Sequence, residues 1–373
     1  MDIGTTTPIL ICPVWQRDGD AVLSPSHARC SPAQRPRGVR AFAAWDLYGV
    51  HLGNVVKRGR YELLVLFVAV AALAALGALA GVSWAAGWHT VLDRVHRLEP
   101  EWFAAAFGAE VSAYVGYVLA YRQVARVEDG AELDLSHAMA AVAAGFGVFV
   151  AAGGYFVDTE ALEGAGLPRE EAQARAFGLG ALEYVLLAPT AAVAAAVLLW
   201  QHAPRPDSAF TWPWVVAVPA GFAAALLALF HRDRLDRAHG WRRHLGHPLG
   251  ALRMVVALGA RPMRHGHAFL GMAAYWLGDI ACLWACLRAF GVQLSVPALI
   301  VTYATGYALT RRTLPLGGAG IVEALLPFAL LWGGSPLAAA VLAVFAYRVF
   351  NLWLPLLPAL ASLPTLRRLE TAG

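Results

Sequence analysis

A proline-anchored apolar stretch occurs twice in this chain, and the placing of its glycines and prolines limits what either copy can form. From Gly334 the sequence reads GSPLAAAVLAVFAYRVFNLWLP, and from Gly166 it reads GLPREEAQARAFGLGALEYVLLAP. Setting Pro336 on Pro168 puts Phe345 on Phe177 and Asn351 on Glu183 without a gap. Upstream of each copy stands a diglycine followed by Glu-Ala-Leu: Gly317-Gly318 with Glu323-Ala324-Leu325, and Gly153-Gly154 with Glu160-Ala161-Leu162. Duplicated apolar segments interrupted by Gly and Pro in corresponding places suit a transporter with a midplane site, because broken helices expose helix ends to a substrate.

The repeat lies in a chain built for lipid. With 59% hydrophobic and 14% charged residues, and several windows of about twenty apolar residues, the sequence describes an integral membrane protein. Residues 1–55 are rich in Pro, Arg and Ser without apolar periodicity and read as a disordered basic cytoplasmic tail, with no signal peptide. Residues 56–373 read as one membrane domain, with repeat 1 at about 137–200 and repeat 2 at about 297–360. Cys12 and Cys30 lie in the tail, and Cys282 and Cys286 lie inside an apolar helix, so the cysteines describe neither a disulfide framework nor a metal site. Among the 29 basic residues only Lys57 is lysine, a skew that reflects genome composition more readily than phosphate binding.

Spanning helices are predicted at 61–84, 102–121, 174–200, 210–230, 267–290 and 336–360. The stretch 297–333 contains two apolar runs of about 14 residues, on either side of Arg311-Arg312 and the Leu-Pro-Leu-Gly-Gly-Ala-Gly turn. Each run reaches about 21 Å, short of the roughly 30 Å hydrocarbon core. They read as two arms of a re-entrant hairpin. For the stretch 137–157 the charges decide. Residues 1–60 carry eight Arg or Lys, and the loop 231–267 carries Arg232, Arg234, Arg237, Arg242, Arg243, Arg253, Arg261 and Arg264. Both blocks face the cytoplasm under the positive-inside rule only if 137–157 enters and returns on the same side. Arg367 and Arg368 then also fall inside. The expected architecture is an all-α polytopic membrane protein, with six spanning helices and two re-entrant helical hairpins as inverted repeats. It would sit in the cell (inner) membrane with both termini cytoplasmic. Two full crossings within 297–333 would give the same parity, so charge counting leaves that hairpin open.

The run from Arg311 to Leu360 resembles the C-terminal signature of the lysylphosphatidylglycerol synthase transmembrane region family, the flippase-like domain proteins. The pattern falls on Pro315, Gly317, Gly318, Gly320, Glu323, Pro336, Tyr347, Arg348, Trp353, Leu354 and Pro355. A weaker resemblance extends back to about residue 60. In the first half, GGYFVDTEALEG stands where relatives carry a Pro-x-Arg-x-Gly-Glu turn, and Gly180 and Glu183 stand where they carry an Arg-x-x-Asp pair. The resemblance implies a lipid-handling module, since fused members couple it to an aminoacyl-transferase domain and flip the modified lipid. This chain ends shortly after its last helix and is expected to lack that domain.

The candidate substrate-binding residues are Arg311, Arg312, Gly317, Gly318, Gly320, Glu323, Arg348, Asn351, Glu160 and Glu183. A charge at the bilayer centre costs roughly 2.5–3.5 kcal/mol on insertion scales, so such residues face a cavity or a partner. At a hairpin tip, Arg311 and Arg312 with the helix N-terminus near Gly320 would suit a phosphate headgroup. The alternative is snorkelling or pairing with Glu323. Glu323 stands where a carboxylate caps free amides. Arg348 and Asn351 lie three apart on one helical face, and Arg348 can pair with Glu323. Glu110, Glu183 and Asp279 are isolated acids in other apolar helices, each a candidate proton carrier. The segment 248–260 reads as interfacial, attracted to anionic lipid by its arginines. The six histidines between 231 and 267 show no third ligand at fixed spacing and read as solvated surface. No nucleophile with a base or metal stands in an apolar segment, so no catalytic residue, metal or cofactor is expected and the chain is read as a non-enzyme. Its partners are expected to be membrane lipids, with an anionic or isoprenoid-linked lipid moved between leaflets. The alternative is a non-catalytic partner of a lipid- or glycan-modifying enzyme. Nucleic acid is not among the expected partners, because the basic residues flank membrane helices.

Overall fold

The computed structural model describes residues 61–127, 130–146, 154–202, 206–231, 246–308 and 318–358. The expected tail, the arginines from 232 to 243, Arg311, Arg312, Gly317, Arg367 and Arg368 lie outside these segments. The only regular secondary structure among the described residues is helical, with no strand. In chain order the helices are α1 (Tyr61–Ala86), α2 (Trp88–Val95), α3 (Trp102–Ala125), α4 (Leu135–Phe146), α5 (Gly154–Gly164) and α6 (Arg169–Trp200). They continue with α7 (Ser208–Phe230), α8 (Gly246–Ala260), α9 (Pro262–Ala289), α10 (Val296–Tyr303), α11 (Ile321–Trp332) and α12 (Leu337–Arg348). A π-helical turn, Ala304–Ala308, extends α10, and another, Val349–Trp353, extends α12.

Six segments are long and apolar enough to cross a bilayer: Val68–Ala86, Trp102–Ala125, Arg169–Trp200, Ser208–Phe230, Met263–Ala289 and Leu337–Pro358. They are the six predicted from hydropathy. Their N-terminal ends differ where charged residues concealed a helix start. Helix α6 begins at Arg169, because Pro168 holds an extended ψ of 143° at the N-cap and Glu170 and Glu171 complement the first turn. Helix α9 begins at Pro262, where a missing amide is harmless. Within the apolar stretch 137–157, residues 147–153 lie outside the described residues, and the others belong to α4 and α5, which pack together. With 12 and 11 residues they reach about 18 Å and about 16 Å, too short to span alone. The segment read as interfacial belongs to α8. Its Ala251, Val255 and Leu258 are buried, and Met254 fills the space over Gly178 of α6, while Arg253 stays exposed. One face of α8 is therefore covered by protein.

The centre of the molecule is the α3–α9 pair. A Cβ added at Gly116 would lie 2.5 Å from the Gly271 carbonyl oxygen, and one at Gly271 would lie 2.6 Å from the Gly116 carbonyl oxygen. At Gly278 it would meet the Ala109 oxygen at 2.5 Å and the Ala113 nitrogen at 2.6 Å. Position numbers rise along α3 as they fall along α9, so the two helices run antiparallel with backbones almost touching, as small residues permit in membranes. Gly278 turns its bare face to α3. Asp279, the next position around the helix, is thereby aimed away from α3. Helix α7 is the opposite case, with Trp212, Val216, Leu226 and Phe230 outward. In a bilayer that surface meets acyl chains.

The two repeat copies share one connector. Before the first proline, the amides of Ala165, Gly166 and Leu167 donate to the carbonyls of Ala161, Glu163 and Leu162 at 3.2, 2.9 and 3.2 Å. Before the second, Gly333, Gly334 and Ser335 donate to Ala329, Leu331 and Leu330 at 2.9, 3.0 and 2.9 Å. Gly166 and Gly334 carry φ of 93° and 105°, which terminate α5 and α11 alike. The register that pairs Pro336 with Pro168 therefore holds in three dimensions through both connectors. The Glu-Ala-Leu match does not follow it. Glu323 is the third residue of α11, whereas Glu160 is the seventh of α5; Tyr155 is the residue opposite Glu323. Gly334→Ala is expected to cost about 1–2 kcal/mol, because a Cβ is strained at positive φ. Thermal unfolding checks this against Gly250→Ala, whose Cβ would meet nothing within 4 Å.

Candidate functional site

Helix α11 starts from a turn that only glycine fits. Gly318 and Gly320 hold φ of 68° and 84°, and a Cβ on Gly320 would press on Ala74 of α1 at 3.1 Å. Glu323, in the first helical turn, reaches back so that one oxygen, Oε2, accepts the Gly320 amide at 2.7 Å. Its other oxygen, Oε1, accepts Arg348 Nε at 2.7 Å. The pairing of Arg348 with Glu323 expected from sequence is present, and both side chains are at most 3% exposed.

Arg348 ends α12, and the π turn after it swings Asn351 to the same side. Arg348 Nη1 donates to Asn351 Oδ1 at 3.4 Å, and the guanidinium lies 6.0 Å from the centroid of the Tyr307 ring. Tyr307 belongs to the other π turn and donates its hydroxyl to the same Asn351 oxygen at 2.7 Å. Asn351 Nδ2 then donates to Asp279 Oδ1 at 2.8 Å. Tyr347 donates to that oxygen at 2.8 Å, and Tyr303 donates to Oδ2. One continuous network thus runs from the cap of α11 to the middle of α9. Every member from Glu323 to Asp279 is buried.

Asp279 is not the isolated acid that the sequence suggested. It is the point where α9, α10 and α12 meet. Its donors stand 24, 68 and 72 positions away, which no local pattern reveals. Tyr303 and Tyr307 were missed as well. The signal was available: two tyrosines one turn apart in an otherwise apolar segment, beside an aspartate in the preceding helix. Arg175 was also missed. It is buried, donates to the Val127 carbonyl at 2.9 Å at the end of α3, and binds Glu171 at 3.0 Å.

The first repeat solves the same position differently. In the shared register Tyr155 lies opposite Glu323, and Gly180 opposite Arg348. A Cβ on Gly180 would stand 2.5 Å from the Tyr155 hydroxyl, so the phenol occupies the space an arginine side chain would need. The Tyr155 ring stacks on Phe177 at 5.0 Å. This accounts physically for the missing arginine of the first half. Glu183, the counterpart of Asn351, is buried, and its main-chain carbonyl accepts Trp276 Nε1 at 2.9 Å. Trp276 in turn meets Tyr303 edge-on at 6.0 Å, so α6 leans on the network through an indole. Glu160 lies half-buried within α5. Of the ten predicted residues, Gly320, Glu323, Arg348 and Asn351 are joined directly, Gly318 lies in the turn beside them, and Glu160 and Glu183 belong to the other half. Arg311, Arg312 and Gly317 lie outside the described residues.

Chemically the network is a buried ion pair with an added acid, framed by two π turns and a helix N-terminus. Such turns occur disproportionately at functional sites. Among the described residues no group of three or more His, Cys, Asp or Glu side chains gathers to hold a metal. A family model described as Lysylphosphatidylglycerol synthase TM region matches residues 42–359. No curated protein matches the chain.

Proposed function

Because the chain belongs to the lysylphosphatidylglycerol synthase transmembrane region family, a family of membrane domains, we propose that it moves an anionic or isoprenoid-linked lipid between the leaflets of the cell membrane. The observation that carries this reading is the fully buried Glu323–Arg348–Asn351–Asp279 network at the broken start of α11. Polar groups are retained at such depth where they serve a substrate or ion pathway. Two oppositely oriented repeats around a midplane site fit the connector geometry common to both copies. The antiparallel α3–α9 pair supports the same arrangement, since α3 leads into the first copy and α9 into the second. Antiparallel neighbours need an even number of crossings between them; α6 and α7 make two, so α4 and α5 would enter and return together. Both termini would then lie in the cytoplasm. Arg311 and Arg312, just before the glycine turn in sequence, supply the cations for an anionic headgroup. On this reading the protein transports and does no covalent chemistry.

Reconstitution into liposomes with fluorescent anionic phospholipids tests the proposal. Lipid redistribution above that of empty vesicles, reduced about tenfold by Arg311→Ala, is expected. Unchanged leaflet distribution for every anionic lipid would sink it. A second reading, a non-catalytic partner of a lipid- or glycan-modifying enzyme, is favoured by one observation, the complete engagement of Glu323 by Arg348 and the Gly320 amide. That reading expects no redistribution but co-purification with the enzyme. Topology has its own check in a cysteine-free background. Cysteines placed at Glu132 and Glu170, both exposed and on either side of 137–157, should label from the same face of the membrane. Labelling from opposite faces would refute the hairpin.

A further inference from the structure

We propose that Asp279 is a reversible proton-binding site whose occupancy is coupled to rearrangement of the two π turns. The coupling to lipid movement rests on the function proposed above; the proton site itself does not.

Three carboxylates lie near one another in the interior, against one guanidinium. Glu323 is bound directly to Arg348 and to a helix-start amide, two contacts that favour its ionised form. Glu110, on α3, is buried within electrostatic range of Tyr307 and Tyr347. Asp279 is completely buried and takes its direct contacts from neutral donors alone. A proton there removes one of the two surplus negative charges without touching the ion pair. The other titratable groups facing it are few. On its own helix Cys282 and Cys286 are buried thiols. From α10 and its π turn come Tyr303 and Tyr307, and from α12 Tyr347 and Arg348. Helix α6 presents Glu183 near Trp276, and Arg253 of α8 is exposed.

The geometry also says where the proton goes. Oδ1 accepts two hydrogen bonds, from Tyr347 and Asn351, and Oδ2 accepts one, from Tyr303. Protonation at Oδ2, by a proton drawn from water on one side of the membrane, turns that oxygen into a donor. The Tyr303 hydroxyl must then accept instead of donate. The tie between α9 and α10 is rewritten while the tie to α12 persists. Tyr303 stands immediately before the π turn Ala304–Ala308, and Asn351 lies inside the other π turn, Val349–Trp353. The proton biases the first of these turns directly, and the second through the hydrogen bond from Tyr307 to Asn351. On release to the other side the carboxylate regains its three donors.

Infrared difference spectra of the purified protein between acidic and alkaline pH test the site directly. A protonated-carboxyl band is expected in the wild type and in Glu110→Gln, and it should vanish in Asp279→Asn. Should Asp279→Asn not fold, Asp279→Glu is expected to keep the band at a shifted frequency. No titrating band, or a band that follows Glu110 or Glu323, overturns the proposal. Coupling is read in proteoliposomes with the membrane potential clamped at zero. With one proton per lipid, a difference of one pH unit drives a leaflet ratio of up to about tenfold. Asp279→Asn should give a ratio near one. A ratio in the wild type that ignores the pH difference overturns the coupling. An Asp279 band without lipid movement at any pH overturns the translocation reading and leaves the proton site standing.

Discussion

Gly116→Leu is expected to abolish the folded protein, or to lower its melting temperature so far that little monodisperse material survives purification. The atoms in the way are main-chain atoms on the facing helix: the Gly271 carbonyl oxygen at 2.5 Å and the Tyr275 nitrogen at 2.7 Å from a Cβ, with the Ala274 Cβ at 2.9 Å. A flexible side chain could rotate aside, but a helix backbone cannot. Helices α3 and α9 would have to separate along their whole contact, which carries the Tyr117–Tyr275 ring pair at 5.2 Å and sets the position of Asp279. Overpacking a core costs about 1–3 kcal/mol where side chains yield, and more where they cannot. Against a total stability of roughly 5–15 kcal/mol, that is enough to unfold the protein. The control lies on the same helix. Gly108 has nothing within 4 Å of an added Cβ, so Gly108→Leu should change stability by no more than about 0.5 kcal/mol. Equal melting temperatures for Gly116→Leu and the wild type would mean that α3 and α9 do not touch as described.

The second large effect is expected at Arg348. Arg348→Met keeps most of the side-chain volume and removes the charge, leaving the Glu323 carboxylate buried with the Gly320 amide as its remaining contact. Breaking one side of a buried pair costs about 3–5 kcal/mol, because the surviving charge is stranded. Glu323→Gln should be milder, since an amide can still accept from the Gly320 nitrogen. The double variant Arg348→Met with Glu323→Gln should recover part of the loss, with a coupling of about 0.5–3 kcal/mol between the positions. Thermal unfolding of the four proteins closes the cycle. Strict additivity would show that the 2.7 Å contact carries no energy. Because Asn351 joins Arg348 to Asp279, the same variants should also move the infrared band assigned to Asp279, linking the ion pair to the proton site.

Much of the membrane architecture was legible from the residues in order. A run of about twenty apolar residues is a local property, and a bilayer accepts only a helix there, so the six spans followed from hydropathy. Glu323 as a helix-start carboxylate was legible from its place after Gly320. The pairing of Arg348 with Glu323 was legible because few charges occur in these segments and each needs a partner. The Glu-Ala-Leu that follows each diglycine does not keep the register of the prolines, and Tyr155 holds the place equivalent to Glu323. Boundaries at Pro168 and Pro262 were placed late because charged residues in a first turn lower apparent hydropathy while stabilising the helix.

The chain by itself determined that this is an all-helical membrane protein with a duplicated proline-anchored unit, because hydrophobic length, glycine at positive φ and proline at helix starts act over a few neighbouring residues. Only the tertiary structure decided that Asp279 is the hub of the polar network and that Tyr155 fills the place of the absent arginine. Those facts depend on which helices lie side by side and how closely. That distance is set by bare glycine faces such as Gly116 against Gly271, whose partners sit more than a hundred residues apart in the chain.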